Sequence, residues 1–406
     1  MKHRIVVLGA GYSGAVAAGR LAARLYRDEV SVTLVNAETD FVERVRMHQV
    51  ATGRDLKFRP FEQMFAGTGV ELKFAKVTGV DVDRKTVALD PEEMDSGEMD
   101  SGEMDSEELE YDTLVYALGS RWNPQGVPGV AEHAYEIASR PGALRLRERL
   151  ASLTAGQTVT VVGGGLTGVE FVTELAESRP DLDVAFAVRG ELGDWLSPKG
   201  RRHLRKVVDR LGITVHENAA VTRVDADQLT TADGGTIPAA VTVWTAGFAV
   251  HPIVEATSLK VSDTGRIVVD ETMRSVSHPD VYAVGDAAYA MGSKNKPLRM
   301  SCASGQPMAW QAADSIAARL TGGKLGHAPL FYFNQCISLG RKDGLIQYVT
   351  TDDRAVNATL TGRVAAVYKE LICKGAAWGT ENPTMGLPTR RRHVINQAVP
   401  LHEWTS

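Results

Sequence analysis

Apolar runs of strand length, each ending in a cluster of glycines, set the rhythm of this chain. Residues 4–8 (RIVVL) lead into Gly9, Gly11 and Gly14. An Ala- and Leu-rich stretch over about 13–26 has helical spacing, and residues 30–35 (VSVTLV) form the next apolar run. Strand, glycine turn, helix and strand within about 30 residues predict a βαβ unit. The order returns at residues 158–162 (TVTVV), followed by Gly163, Gly164, Gly165 and Gly168, a helix through 169–177 and a strand at 184–188 (VAFAV). From Gly9 to Gly163 the offset is 154 residues, so the chain carries an internal repeat.

Between the two units, residues 70–91 alternate like paired strands, and 111–119 (YDTLVYALG) read as a buried strand ending in a turn. Residues 123–129 (NPQGVPG) read as a linker before a helix at 141–153. After the second unit come a helix at 199–211, strands at 214–216 and 221–224, and a strand-to-turn at 241–247 (VTVWTAG). Strands at 267–269 and 281–285, a helix over 304–320, strand-like text from 331, a helical stretch at 363–378 and a basic tail complete the pattern. The predicted class is α/β. Two Rossmann-like dinucleotide-binding domains are expected, with a small C-terminal α+β domain.

The glycine turns carry the chemistry. A helix N-terminus offers free N–H groups and a partial positive charge to a pyrophosphate, and residues without Cβ let the backbone come close. Gly9 and Gly163 suit the tight turn, Gly11 and Gly165 the phosphate approach, and Gly14 and Gly168 the helix–strand contact. At the end of the second strand Asn36 stands where a carboxylate commonly reads a ribose, with Glu38 as the fallback. The second unit has Val188 and then Arg189 there. A missing acid and an added guanidinium favour a 2′-phosphate, hence NADPH at least as well as NADH.

Composition narrows the class. With 44% hydrophobic and 23% charged residues over 406 positions, the chain suits a soluble globular protein of two or three domains. No stretch approaches the roughly 18 apolar residues of a membrane span, and the N-terminal run is too short for a signal peptide. The three cysteines, Cys302, Cys336 and Cys373, lie far apart and lack metal-ligand spacing. They suggest a reducing, cytoplasmic setting and no metal. The net charge of −5 hides an asymmetry, because residues 90–112 hold twelve carboxylates and no Lys or Arg. Within them EMDSG, EMDSG and EMDSE repeat, too polar to build a core, and are read as a solvated loop at a hairpin tip or an acidic docking loop. The mildly basic remainder favours anionic ligands such as dinucleotides.

Two dinucleotide units followed by YDTLVYALG, VWTAG and VYAVGD resemble the flavoproteins with two dinucleotide-binding domains. The resemblance spans about residues 1–320 and implies FAD in the first unit, NAD(P)H in the second, and Asp286 on the flavin's ribityl chain. Disulfide reductases of that group carry a Cys-x4-Cys pair after the first unit, and this chain has no Cys before Cys302, which excludes that dithiol relay. The segments FVERVRMHQVATG, SGQPMAWQAA and SLGRKDGLIQYV resemble the type II NADH dehydrogenases, within a wider class that includes apoptosis-inducing-factor-like oxidoreductases.

The resemblance implies an FAD domain at 1–122 and 252–322, an NAD(P)H domain at 123–251 and an acceptor-side domain at 323–406. Expected cofactor contacts are Gly9, Gly11, Tyr12, Ser13, Gly14, Asn36, Arg44, Val77, Ala117, Gly119, Gly285 and Asp286 in the first domain. In the second they are Gly163, Gly165, Leu166, Thr167, Gly168, Glu170, Arg189 and Gly247. Catalytic candidates are Glu170, Arg44, His48 and Gln306, with Arg46 expected beside Arg44 at the flavin; Cys302 is read as structural. The implied reaction passes hydride from NAD(P)H to flavin and electrons to a quinone or similar acceptor. A soluble flavin oxidoreductase acting on a metabolite or redox protein, or a redox-responsive binding protein, stands as the alternative. Nucleic acid is not among the expected partners. The resemblance admits a homodimer and peripheral membrane contact; the apolar positions Val364, Val367, Leu371 and Ile372 fit either a membrane or packing within their own domain.

Overall fold

A computed structural model describes residues 1–90, 107–324, 329–384 and 390–395. The first apolar run is a strand, His3–Leu8, in the middle of a five-stranded parallel sheet. Its neighbours are Val30–Asn36 and then Val70–Phe74 on one side, Thr113–Tyr116 and then Val281–Ala283 on the other. The strands His3–Leu8, Thr113–Tyr116 and Val281–Ala283 are buried on both faces over most of their length, which is why they read as apolar runs, whereas Val30–Asn36 alternates in burial. The second unit repeats the plan around Thr158–Val162, flanked by Asp183–Ala187 and Thr214–His216 on one side and by Val241–Trp244 and Ala134–Tyr135 on the other.

Each unit carries a three-stranded antiparallel meander, Lys76–Asp81 with Thr86–Asp90 and Glu107–Glu110, and Val221–Val224 with Gln228–Thr231 and Thr236–Pro238. The expected pairing within 70–91 therefore divides: Val70–Phe74 joins the parallel sheet, and the meander starts at Lys76. The EMDSG repeat falls between two of these strands and lies almost wholly outside the described residues. The chain crosses between the units twice, where Ser120–Trp122 pairs antiparallel with Phe248–Val250.

The glycine-led helix of the first unit, Tyr12–Arg24, buries a face of small residues against the long helix Cys302–Thr321. Its counterpart, Leu166–Ser178, buries Glu170, Thr173 and Glu174 as well as apolar residues. A three-stranded antiparallel sheet (Asn334–Ser338, Gly344–Val349, Ala355–Thr361) and the helix Gly362–Glu381 form the C-terminal part. That helix buries Ala365, Cys373, Ala377 and Thr380. Its larger apolar side chains face solvent, with Val364 64%, Leu371 62% and Trp378 54% exposed. Small residues let the helix lie close to its sheet, so the bulky stripe is left outside, contrary to packing within its own domain. Among the described residues no helix is long and apolar enough to cross a membrane.

Candidate active site

The two glycine turns are built alike. Gly9 and Gly163 hold positive φ, +91° and +118°. A Cβ on Gly14 would sit 1.8 Å from the Gly9 carbonyl oxygen, and one on Gly168 would sit 2.0 Å from that of Gly163. A Cβ on Gly11 or on Gly165 would meet nothing within 4 Å. Each helix thus starts hard against its strand while the position before its first turn faces open space, the shape a phosphate needs.

The first turn, through Ala10 and Gly11, and the start of the second unit's helix, through Leu166 and Thr167, line one cleft of about 530 Å³; Gly163, Gly165 and Gly168 lie outside its lining. Gly11, Tyr12 and Ser13 line it from the first unit, Leu166, Thr167 and Glu170 from the second, and Lys369 and Cys373 from the C-terminal helix. Asn36, Arg44, His48, Ala117, Gly119, Gly285 and Asp286 also reach it. The Asn36 amide is already engaged, its Oδ1 accepting from Ala10 N at 2.8 Å and its Nδ2 donating to the Glu38 carbonyl. Glu38 and Asp40 are both clasped by Arg140 from the helix Arg140–Ala151.

Arg44 donates from Nη1 to the Ser120 carbonyl at 2.7 Å, lies 3.8 Å from the Asp286 carboxylate, and stacks over Phe248 at 5.0 Å. Its Nη2 and the Tyr12 hydroxyl are buried without a hydrogen-bond partner among the described residues. Buried polar groups are normally satisfied, so these two mark where a polar ligand completes the site. Together with the open space at Gly11, they fit FAD.

At the other end of the cleft Glu170 and Lys369 form a buried ion pair at 2.9 Å. Glu170 also accepts from Ser338 N at 3.0 Å, and Lys369 donates to the Cys336 carbonyl at 3.1 Å. Burial alone would raise the Glu170 carboxyl, but Lys369 first and then the Ser338 N–H hold it below its ordinary value. Burial opposes the charge on Lys369, and Glu170 outweighs it and holds the ammonium above its ordinary value. His48 is buried, which lowers its pKa and keeps it neutral despite nearby Glu170; its Nε2 has no partner among the described residues.

Several expected positions lie elsewhere. Gln306 does not line the cleft; its Nε2 donates to the Ala376 carbonyl and the Thr380 hydroxyl, both at 3.0 Å, and ties two helices together. Arg46 is drawn away by Glu43 at 3.0 Å and Glu370 at 2.9 Å. Val77 is packed in the core of the first unit, Gly247 sits at the crossing beside Gln125, and Arg189 is exposed at the end of Asp183–Ala187. Sequence reasoning missed Lys369, whose helical context carried no motif, and it missed the convergence of all three cysteines on this cleft.

Two Rossmann-type sheets, each with a glycine-led helix that starts at a shared cleft, define the class of two-nucleotide flavoprotein oxidoreductases. The pyridine nucleotide-disulphide oxidoreductase family model matches residues 3–317, and the chain belongs to that family, as a type II NADH dehydrogenase-like member. It is similar to the NADH dehydrogenase-like protein Rv1812c of Mycobacterium tuberculosis, 28% identical over 338 residues covering 77% of this chain and 80% of that one. The type II NADH:quinone oxidoreductase of Staphylococcus epidermidis is 24% identical over 408 residues, covering 91% and 94%. Among solved structures, NDH2 of Plasmodium falciparum in complex with NADH superposes with a TM-score of 0.77 at 15% identity, covering 95% of this chain and 97% of that one.

Proposed function

We propose that this protein is an FAD-dependent NAD(P)H oxidoreductase that delivers electrons to a quinone, with the second glycine turn receiving the nicotinamide nucleotide. The observation that carries the reading is the single cleft lined from the starts of both glycine-led helices and walled by the Glu170–Lys369 pair. FAD, when bound, supplies the redox chemistry between NAD(P)H and the acceptor.

The chain's own residues bind, orient and handle protons. The N–H groups at the start of Tyr12–Arg24 and Leu166–Ser178 receive phosphates, and Arg44 Nη2 and the Tyr12 hydroxyl supply polar contacts to the resident cofactor. Glu170 is anionic at neutral pH and orients the nicotinamide ribose or amide rather than donating a proton. Lys369 Nζ offers fixed positive charge where an acceptor oxygen gains electron density. Neutral His48 has an open Nε2 with which to hand on a proton. Arg189, exposed past Asp183–Ala187, is placed to favour a 2′-phosphate.

The apolar stripe of Gly362–Glu381, with Arg363 and Lys374 exposed beside it, suits an anionic membrane surface. Ile372 of that helix also lines the cleft, so a quinone dissolved in lipid would meet the acceptor end first. The test is NAD(P)H oxidation by the purified protein with a panel of quinones, with and without anionic liposomes. Rapid quinone-dependent turnover and pelleting with liposomes are expected. Bleaching of the bound flavin by NAD(P)H with no turnover of any quinone would contradict the acceptor.

A further inference from the structure

All three cysteines of the chain line the cleft, although they come from distant segments and three different elements. Cys302 is the first residue of Cys302–Thr321, Cys336 lies in Asn334–Ser338, and Cys373 lies one turn beyond Lys369. The proposed reaction uses none of them. Among the described residues no group of three or more His, Cys, Asp or Glu side chains is arranged to hold a metal ion. What remains is the chemistry of soft nucleophiles facing a cavity meant for an electrophilic ring.

We propose that this thiol wall is a covalent capture site for quinones with a free ring carbon, so that the cleft turns over fully ring-substituted quinones and is alkylated by unsubstituted ones. The proposal rests on the quinone reading above and names the class of quinone the site tolerates. In the step, a cysteine sulfur adds to the free ring carbon and an S–C bond forms. The electron pair of the ring C=C moves onto a carbonyl oxygen. The thiol proton and the proton of the attacked carbon end on the two oxygens, giving a hydroquinone thioether. Nothing is lost, and no further oxidant or reductant is needed.

The three thiols differ in readiness. Cys336 donates its S–H to Asn334 Oδ1 at 3.5 Å, and burial pushes its pKa up to about 11. Burial also raises Cys373 and Cys302, and Lys369 pulls all three thiols back. Cys302 has one further advantage at the N-terminal end of a 20-residue helix, where free N–H groups favour a thiolate. Cys373 is the most buried of the three. Capture therefore starts at Cys302 and is slow, because every thiol is mainly protonated at neutral pH.

The test uses the purified FAD-containing protein without reductant. It is incubated with unsubstituted naphthoquinone, with tetramethylbenzoquinone, and with N-ethylmaleimide as an electrophile that accepts no electrons. Intact mass and peptide mapping then locate any adduct. Expected are one added naphthoquinone on Cys302, none from tetramethylbenzoquinone, and slower labelling by naphthoquinone or maleimide when tetramethylbenzoquinone is in excess. The first adduct disappears in Cys302→Ser, while the wild-type protection arm needs no variant. A folded protein that takes up no naphthoquinone, although the guanidinium-unfolded chain reacts at its cysteines, overturns the proposal. So does labelling that excess tetramethylbenzoquinone leaves untouched. Protected maleimide labelling with no turnover of any quinone would instead sink the acceptor reading and leave the thiol wall standing.

Discussion

The two nucleotide units share their turn geometry and differ in what holds and surrounds it. In the first, the helix Tyr12–Arg24 is seated by Gly14, Ala15, Ala17, Ala18 and Leu21, and Gly9 and Ala10 are buried. The acids after its second strand are clasped by Arg140. In the second, the helix Leu166–Ser178 is anchored by buried polar groups. Glu170 meets Lys369, Thr173 accepts from Gly340 N at 3.1 Å, and Glu174 meets Arg341 at 2.7 Å. Its turn is more open, and Arg189 beyond its second strand is exposed. One cradle is closed down as for a resident cofactor; the other stays accessible as for a ligand that comes and goes. The same backbone device serves both, and the side chains around it set how open each turn is.

The largest expected effect comes from breaking the polar anchor of the second unit. Lys369→Met leaves the Glu170 carboxylate buried without its partner and should cost about 3–5 kcal/mol of stability, measured by denaturant unfolding. Adding Glu170→Gln should recover a large part of that loss. Next, the turns can be overfilled one at a time. Gly14→Val and Gly168→Val each drive a side chain into a carbonyl at van der Waals overlap, a penalty of about 1–3 kcal/mol or more. The first should yield protein that loses FAD on purification; the second should stay yellow but bleach only at much higher NAD(P)H. Loss of flavin from Gly168→Val would merge the two roles and break the comparison.

A pH experiment sharpens the acceptor end. The folded pKa of His48 is lowered, so below its ordinary value of 6.5 the unfolded chain takes up a proton that the folded one refuses. Stability should therefore fall with pH below 6.5, by up to about 1.4 kcal/mol per pH unit from this group, and His48→Gln should flatten the slope. Glu170 acts in a lower window: its folded pKa is depressed, so its contribution is present above the ordinary carboxylate value and fades as pH drops through the folded one. Smaller still is Arg189→Glu, which should move the NADPH-to-NADH ratio of kcat/KM toward NADH by about tenfold, some 1.4 kcal/mol. Smallest is removal of two of the EMDSG units. The second meander turns directly where the first carries the repeat. Loop-closure entropy changes by only about 0.6 kcal/mol per doubling of length, so thermal stability should hardly move. A marked loss of acceptor turnover in that variant would favour the docking-loop reading.

Much of this architecture was legible in the sequence, because buried parallel strands write themselves as continuous apolar runs and a glycine turn needs its glycines at fixed spacing. The two βαβ units follow from those signals; Arg44, His48, Glu170 and Asp286, which the structure brings to one cleft, were singled out by the family resemblance and not by apolar or glycine spacing. Other features depend on contacts between distant segments. Lys369 gains its meaning from Glu170, far away in sequence, and Gln306 loses its expected place because Ala376 and Thr380 claim its amide. The cysteines looked scattered because separation along the chain says nothing about a shared cavity. On the C-terminal helix, bulky apolar spacing fitted either an inward face or a membrane, and the small residues took the inward face.

The most direct measurement is an anaerobic titration of the purified protein with NADH and with NADPH, followed by its visible spectrum. Two working cradles on one cleft require a yellow protein whose flavin band bleaches with one equivalent of reduced nucleotide per chain. A colourless protein that takes up no FAD, or a bound flavin that stays oxidised with both nucleotides, would contradict them.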